Sequence, residues 1–131
     1  MNVGILIISH DGIGEALLAT AMHMIGKTPL NVKLLEATRK CDPDDLLDQA
    51  TSLIEQLDEG SGILVLTDLL GSTPSNIAHR LGNKSNVNIV TGINLSMIIR
   101  ILNYPDLNLD DLTDKAFSGG VDGINIVRGE T

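Results

Sequence analysis

The feature that most constrains the fold is an apolar run near the start of the chain, residues 3–8, followed at once by a helical pattern. The run is short, rich in isoleucine and free of alternating polar residues, which is typical of a strand buried on both faces. Apolar side chains then recur at helical spacing over residues 13–25. A buried strand that leads directly into a helix predicts a βα unit, the building block of parallel sheets with helices on both faces.

This strand-then-helix pattern repeats along the chain. Further strands of the same apolar character are predicted at residues 31–35, 62–67 and 87–90. Two of the helices begin at an N-cap residue followed by proline, and these signals are Asp42-Pro43 and Thr73-Pro74. The first of these helices is expected to end at Gly60. An apolar helix is predicted through residues 97–102.

The end of the chain departs from this pattern. A last helix is predicted at residues 109–117, and Gly119 and Gly120 are expected to stop it. Too few residues follow for a helical crossover, so residues 123–127 are expected to form an antiparallel edge strand, of this sheet or of a partner's. We therefore expect one α/β domain over residues 1–131, with an open, mostly parallel four-stranded sheet of order 2-1-3-4.

Composition narrows the class of protein. The 131 residues suffice for one domain with a single core. A formal net charge of −8 argues against nucleic-acid binding. The single cysteine, Cys41, excludes an intrachain disulfide and a cysteine-built metal site. With no signal peptide and no apolar segment of membrane length, the sequence predicts a cytoplasmic protein that does not insert into the membrane.

Polar, chemically capable residues follow strands one and three. His10 comes directly after the first strand, and Asp68 directly after the third. With strand order 2-1-3-4 these strands are neighbours, and the crevice between their loops is where such sheets bind ligands. A carboxylate that accepts one imidazole N–H leaves the other ring nitrogen free as a nucleophile. The helix that starts at Thr73 would direct backbone N–H groups and a hydroxyl at a phosphoryl group on that nitrogen.

Plainer interpretations exist for each of these residues. His10 alone could be a solvated loop histidine, Asp68 a turn residue and Thr73 a simple N-cap. The pair Leu69-Leu70 is either tucked into the core or forms an apolar docking patch. His23 and His79 fall inside predicted helices and are expected to be solvated. Walker, dinucleotide-binding, zinc-protease and hydrolase-elbow motifs are absent from the sequence, as are the paired acids of a receiver domain.

Three segments of the chain resemble the mannose-family IIA domains of the bacterial phosphoenolpyruvate-dependent sugar phosphotransferase system. They are VGILIISH at 3–10, LVLTDLLGSTPSN at 64–76 and VTGINL at 90–95. The similarity extends over essentially the whole chain, in order and at the spacing of the family. The best-known relatives have serine at the position of Thr73, and an aromatic residue and a second glycine at the positions of Leu70 and Ser72.

The resemblance implies roles for individual residues. His10 is expected to accept the phosphoryl group from phospho-HPr, with Asp68 orienting its ring. Thr73 is expected to lie near the phosphoryl group, with Gly71 and Ser72 in the same phosphoryl-binding loop. Neither a cofactor nor a metal is implied. The family is dimeric through exchange of a C-terminal edge strand, which agrees with the interpretation of residues 123–127.

Together these observations predict a phosphoryl carrier that passes the group from His10 to a separate IIB component. The carrier could serve a sugar permease or could be regulatory. A carrier of the dihydroxyacetone kinase type is a close alternative, although Thr73-Pro74-Ser75-Asn76 favours the mannose type. A flavodoxin-like module that binds an anion without transferring it, and a purely structural regulator, are the alternatives from other classes.

Overall fold

The computed structural model describes residues 2–84 and 86–130, which form an α/β fold. Four strands and five helices alternate within these residues until the last two helices follow one another. The strands are β1 (Gly4–His10), β2 (Val32–Ala37), β3 (Ile63–Thr67) and β4 (Val87–Val90). The helices are α1 (Ile13–Ile25), α2 (Pro43–Leu57), α3 (Thr73–Leu81), α4 (Leu95–Leu102) and α5 (Leu109–Asp122).

The four strands form one parallel sheet of order β2-β1-β3-β4, which confirms the predicted order. β1 pairs with β2 on one side and with β3 on the other. Ile8 lies opposite Thr67, so His10 and the residue that follows β3 emerge at the same edge of the sheet. This register brings the two predicted site loops together.

Each face of the sheet carries its own apolar core, which explains why the strands show no polar alternation. Alternate β1 residues face opposite ways: Ile5 and Ile7 pack toward α1, α4 and α5, whereas Leu6 and Ile8 pack toward α2 and α3. All four side chains are buried. The cores consist almost entirely of aliphatic side chains, as the scarcity of aromatic residues predicts.

The predicted N-cap residue is confirmed for α2 and wrong for α3. The Asp42 carboxylate accepts a hydrogen bond from the N–H of Asp44 at 3.0 Å, as the Asp42-Pro43 signal predicts. α2 then ends at Leu57, earlier than the predicted stop at Gly60. At α3 the predicted cap is wrong by one residue. Ser72 is the extended N-cap residue, and Thr73 is already helical.

Gly119 and Gly120 do not stop α5, which continues to Asp122; that prediction is wrong. Both glycines are buried against α4. A Cβ atom on Gly119 would collide with the Cβ of Arg100, and a Cβ on Gly120 would lie 2.9 Å from Cε of Met97. Glycine here allows two helices to approach closely, and this packing outweighs its low helix propensity.

The chain beyond α5 forms no strand in the described structure. Residues 123–130 are exposed and contain no regular element. The N–H of Ile124 donates to the carbonyl of Val121, which closes a turn after the helix. Because α5 extends to Asp122, the tail does not fold back along this chain's own sheet, and the prediction of an edge strand within the chain is wrong. Exchange of the tail with a second subunit stays a prediction.

We predict that Gly119→Ala destabilises the fold, although alanine is the better helix former by about 1 kcal/mol. The added methyl group overpacks the contact with Arg100, so the free energy of unfolding should fall by roughly 1–3 kcal/mol. Urea unfolding measures this change. The matched control is Asp114→Ala on the exposed face of α5, which should not destabilise. Equal stability of Gly119→Ala and wild type would show that the α4–α5 contact is loose.

Candidate active site

His10 is the last residue of β1, and the buried residue before it fixes the turn into α1. The Ser9 hydroxyl accepts a hydrogen bond from the N–H of Gly14 at 2.9 Å and donates to the carbonyl of His10 at 3.0 Å. A Cβ on Gly14 would lie 2.8 Å from both Ser9 Oγ and Ile7 Cγ2, so only glycine permits this approach of helix to strand. The backbone that carries His10 is therefore held on both sides.

His10 and Asp68 meet across the β1–β3 edge, as their positions predict. Nδ1 of His10 lies 2.8 Å from Oδ2 of Asp68. The same oxygen accepts the backbone N–H of His10 at 3.0 Å, and Oδ1 accepts the N–H of Leu69 at 2.9 Å. The Asp68 side chain is 11% exposed, whereas that of His10 is 45% exposed. The carboxylate is thus fixed at the base of the site, and the imidazole reaches solvent.

The hydrogen-bond pattern defines the tautomer of His10. A carboxylate only accepts, so the Nδ1 atom beside Asp68 carries the proton. In the neutral ring Nε2 then holds a free lone pair. The site therefore presents an oriented nitrogen nucleophile whose cationic product would be stabilised by a carboxylate on the opposite side of the ring.

The charge of Asp68 is stabilised by its donors. Burial alone would raise the pKa of this carboxyl, but the N–H groups of His10 and Leu69 and the His10 ring outweigh that effect, and the pKa is lowered. The loop after β3 is also tied to the loop after β4. The N–H of Gly92 donates to the carbonyl of Asp68 at 3.1 Å, and that of Ile93 to Thr67 at 2.9 Å.

The loop from β3 to α3 places its three predicted phosphoryl-binding residues differently. Gly71 has a positive φ of 87°, and its N–H donates to Oγ of Ser75 at 2.9 Å. The Ser72 hydroxyl donates to the carbonyl of Leu69. Thr73 alone of the three lines the cavity that contains His10, and it is the first residue of α3, where backbone N–H groups have no carbonyl partner within the helix.

That cavity, of about 710 Å³, extends from His10 over the end of β2 as well as toward α3. Its lining also includes residues to which the sequence analysis gave no role in the site. They are Asp11, Ala37, Thr38, Arg39, Lys40, Cys41 and Pro43. Arg39 and Lys40, two adjacent basic residues shortly after β2, were the sequence signal for this part of the cavity. β2 neighbours β1, and the carboxyl ends of parallel strands lie at the same edge of the sheet.

Asp11, the residue that follows His10, interacts with a carboxyl group of β2. Glu36 of β2 shares a hydrogen bond with Asp11, which raises the pKa of Glu36, and its slight burial and the charges of Asp11 and Glu15 act in the same direction. The backbone N–H of Gly12 opposes the effect. Of these carboxyl groups, Asp11 lines the cavity that contains His10.

Leu69, Leu70 and the two other histidines are exposed. Leu69 and Leu70 are 62% and 67% exposed, so their burial in the core is excluded, and a role in docking stays a prediction. His23 is exposed, as predicted. His79 is exposed as well, with Nδ1 2.7 Å from the carbonyl of Ser75. Neither lies among the residues that line the His10 cavity.

Residues 2–84 and 86–130 contain no group of three or more His, Cys, Asp or Glu side chains arranged to hold a metal ion. Over the same residues, no helix combines the length and the apolar character needed to cross a membrane. The site thus consists of an oriented imidazole that lines an open cavity.

Comparison with known proteins identifies the family of this chain. A family model, EIIA-man, described as "PTS system fructose IIA component", matches residues 4–117. The chain belongs to this EIIA family. The mannose-specific EIIAB component of Escherichia coli K12 is 27% identical to this EIIA chain over 131 residues, 98% of this chain and 40% of that protein. The chain thus spans about two fifths of the length of that relative.

Two further relatives differ from each other in type. The transcriptional regulatory protein LevR of Bacillus subtilis is 30% identical over 114 residues, 82% of this chain and 12% of that protein. The mannose/sorbose specific IIA subunit from Enterococcus faecalis superimposes with a TM-score of 0.86 at 23% identity, covering 100% of this EIIA chain and 98% of that one. The second comparison shows a shared fold.

The lowered pKa of Asp68 predicts how its contribution to stability varies with pH. A carboxyl whose pKa is lower in the folded state adds stability above its unfolded pKa of about 3.9, and loses it as pH falls through the folded value. Asp68→Asn should therefore destabilise the protein at about pH 7, and the difference from wild type should shrink at about pH 3. Urea unfolding at both pH values measures it.

The control is Asp106→Asn, an exposed carboxyl in the loop before α5. This variant should follow wild type at both pH values. A constant difference between Asp68→Asn and wild type across the range would contradict an ionised, hydrogen-bonded Asp68.

Proposed function

We propose that this chain is a phosphoryl carrier of the sugar phosphotransferase system, which accepts the group from phospho-HPr on His10 and passes it to a IIB component. The observation that carries the proposal is the 2.8 Å contact between Nδ1 of His10 and the Asp68 carboxylate in a member of the EIIA family. Family membership gives the class of reaction, and this contact supplies an oriented nucleophile for it. We further place the exchange in the cytoplasm.

The chemistry follows from the tautomer. The lone pair of Nε2 attacks phosphorus, a phosphorus–nitrogen bond forms, and the donor's bond to phosphorus breaks with its electron pair left on the donor. The ring of His10 becomes a cation that keeps its proton on Nδ1, where Asp68 stabilises it. Transfer to IIB reverses these steps. An orienting and charge-stabilising group of this kind is worth roughly 10²–10⁴-fold in rate.

Thr73 is the first candidate for binding the transferred group. It lines the cavity with His10 and contributes an N–H group at the start of α3, where the helix dipole favours negative charge. Gly71 and Ser72 bond to Ser75 and Leu69, so we assign them to holding the loop in shape around the phosphoryl group. Phosphoryl transfer requires mainly positioning and charge stabilisation, which these groups can supply.

We also propose a homodimer built by exchange of the C-terminal tail. Ile124, Ile126 and Val127 are 74%, 71% and 87% exposed, and β4 is an edge strand, which among the described residues pairs with β3 alone. An apolar groove lined by residues of β4, α4 and α5, among them Phe117 and Val121, lies beside that edge. A tail from a second copy would pair with the edge and cover the apolar side chains across a two-fold axis.

A regulatory carrier is the second candidate. The observation that favours it is the similarity to the B. subtilis protein named as a transcriptional regulatory protein. Here His10 would carry the phosphoryl group as a signal. The chemistry at His10 is common to both candidates, so the experiment below tests that shared step first.

We predict that His10 is the only residue phosphorylated by phosphoenolpyruvate, enzyme I and HPr. Incubation with these components should give an acid-labile, base-stable phosphate that is lost in His10→Ala. His23→Ala and His79→Ala are the controls and should keep full labelling, since neither residue lines the cavity. Label retained in His10→Ala would refute the assignment of His10 as the phosphorylated residue. Absence of label in the wild-type protein would refute the proposed function.

For the dimer, we predict that removing residues 124–131 abolishes association while leaving α5 complete. Sedimentation equilibrium should show a wild-type dimer and a truncated protein that is monomeric or aggregates through its exposed groove. Ile126→Asp should weaken the dimer in the same direction, whereas Glu130→Ala, an exposed polar position, should leave it unchanged. A truncated protein that still forms a well-defined dimer would refute the exchange.

A further inference from the structure

The His10 cavity has a basic wall that the proposed mechanism does not use. β2 ends at Ala37, which lies directly opposite His10 in the sheet register. The loop that follows carries Arg39 and Lys40, and both line the same cavity as His10. They are the cations among its lining residues, and both are exposed.

Negative charge near His10 gives these two cations a function, because it would repel an incoming phosphoryl group. The ionised carboxylate of Asp68 contacts the ring, and Asp11 lines the same cavity. A phosphoryl group on Nε2 would bring up to two further negative charges into these acidic surroundings. Without a nearby cation, like-charge repulsion would oppose its arrival.

The basic side chains are available for that role. The ion pairs among the described residues join His10 to Asp68, Arg80 to Asp44, and Arg100 to Asp122. Arg39 and Lys40 take part in none of them. Nearby acids in the sequence are engaged elsewhere. Glu36 interacts with Asp11. The Asp42 carboxylate caps α2, and Asp44 faces Arg80 at 3.8 Å.

We propose that Arg39 and Lys40 bind the phosphoryl group carried on Nε2 of His10, as positioning residues on the β2 side of the cavity, opposite Thr73. This inference rests on the proposed function. A planar guanidinium and a mobile ammonium both bind phosphoryl oxygens, the first through paired N–H groups. The cavity has the volume typical of a small-ligand site, so it can hold the phosphoryl group and both side-chain heads.

The test uses phosphoramidate, a small anionic donor that needs no partner protein. In the zwitterionic form of phosphoramidate the nitrogen already carries three protons. Nε2 attacks phosphorus and forms a new phosphorus–nitrogen bond, while the donor's own phosphorus–nitrogen bond breaks and its electron pair leaves on ammonia. Arg39→Gln and Lys40→Gln should each slow phosphorylation of His10 by about 3- to 10-fold, since one unit charge at contact distance changes rates by about fivefold in water. Arg39→Lys should keep most of the wild-type rate because it keeps the charge.

The matched control is Lys33→Gln, which removes one exposed positive charge from β2 four positions before Ala37 and outside the cavity. It should follow wild type. A second readout is the phosphorus NMR titration of phosphorylated His10. The pKa of the phosphoryl group should rise in the Arg39→Gln/Lys40→Gln double variant, because cations favour the dianion.

The outcomes separate the two proposals. Wild-type rates and an unchanged titration in the double variant would overturn the role of Arg39 and Lys40. A defect with phospho-HPr but none with phosphoramidate would also overturn it, and would assign the two residues to partner recognition. If phosphoramidate labels His10 with the expected variant effects but phospho-HPr does not, the carrier function fails and the cation site stands. If neither donor labels His10, both the carrier function and the role of the two basic residues are refuted.

Discussion

The hydrogen bond between His10 and Asp68 is the interaction on which the proposed chemistry of this chain depends. It exists because β1 and β3 are adjacent and in a register that sets Ile8 opposite Thr67. Both strands are buried on both faces, so a shift of register would disturb two aliphatic cores at once. The apolar packing thereby fixes a nitrogen nucleophile and its carboxylate to within hydrogen-bond distance.

The fold could be predicted from sequence wherever local pattern and tertiary packing agree. The apolar strands, the Asp42-Pro43 cap and the strand order are of this kind. The errors occur where packing overrides local preference. Gly119 and Gly120 have the local signature of a helix end. They lie inside α5 because residues without a side chain fit the close contact with α4. The tail has the composition of a strand, yet it leaves α5 at Asp122 and pairs with neither edge of the described sheet.

The site could be predicted in its chemistry and less well in its extent. His10 and Asp68 follow from their positions after neighbouring strands. The hydrogen bonds of Gly71 and Ser72 depend on the detailed path of one loop, which no residue pattern determines. Arg39 and Lys40 resemble ordinary solvated charges in the sequence. The predicted strand order puts their loop at the same sheet edge as His10, and the pairing of Ala37 with His10 shows that this loop borders the nucleophile.

The most direct test of the account is to identify the ring nitrogen of His10 that carries phosphorus. Nitrogen-15 labelled protein, phosphorylated on His10, can be examined by long-range proton–nitrogen correlation with nitrogen–phosphorus coupling. The account predicts coupling at Nε2, with Nδ1 still protonated and bonded to Asp68. Coupling at Nδ1 would contradict it, because that atom would have to leave the carboxylate on which the orientation of the ring depends.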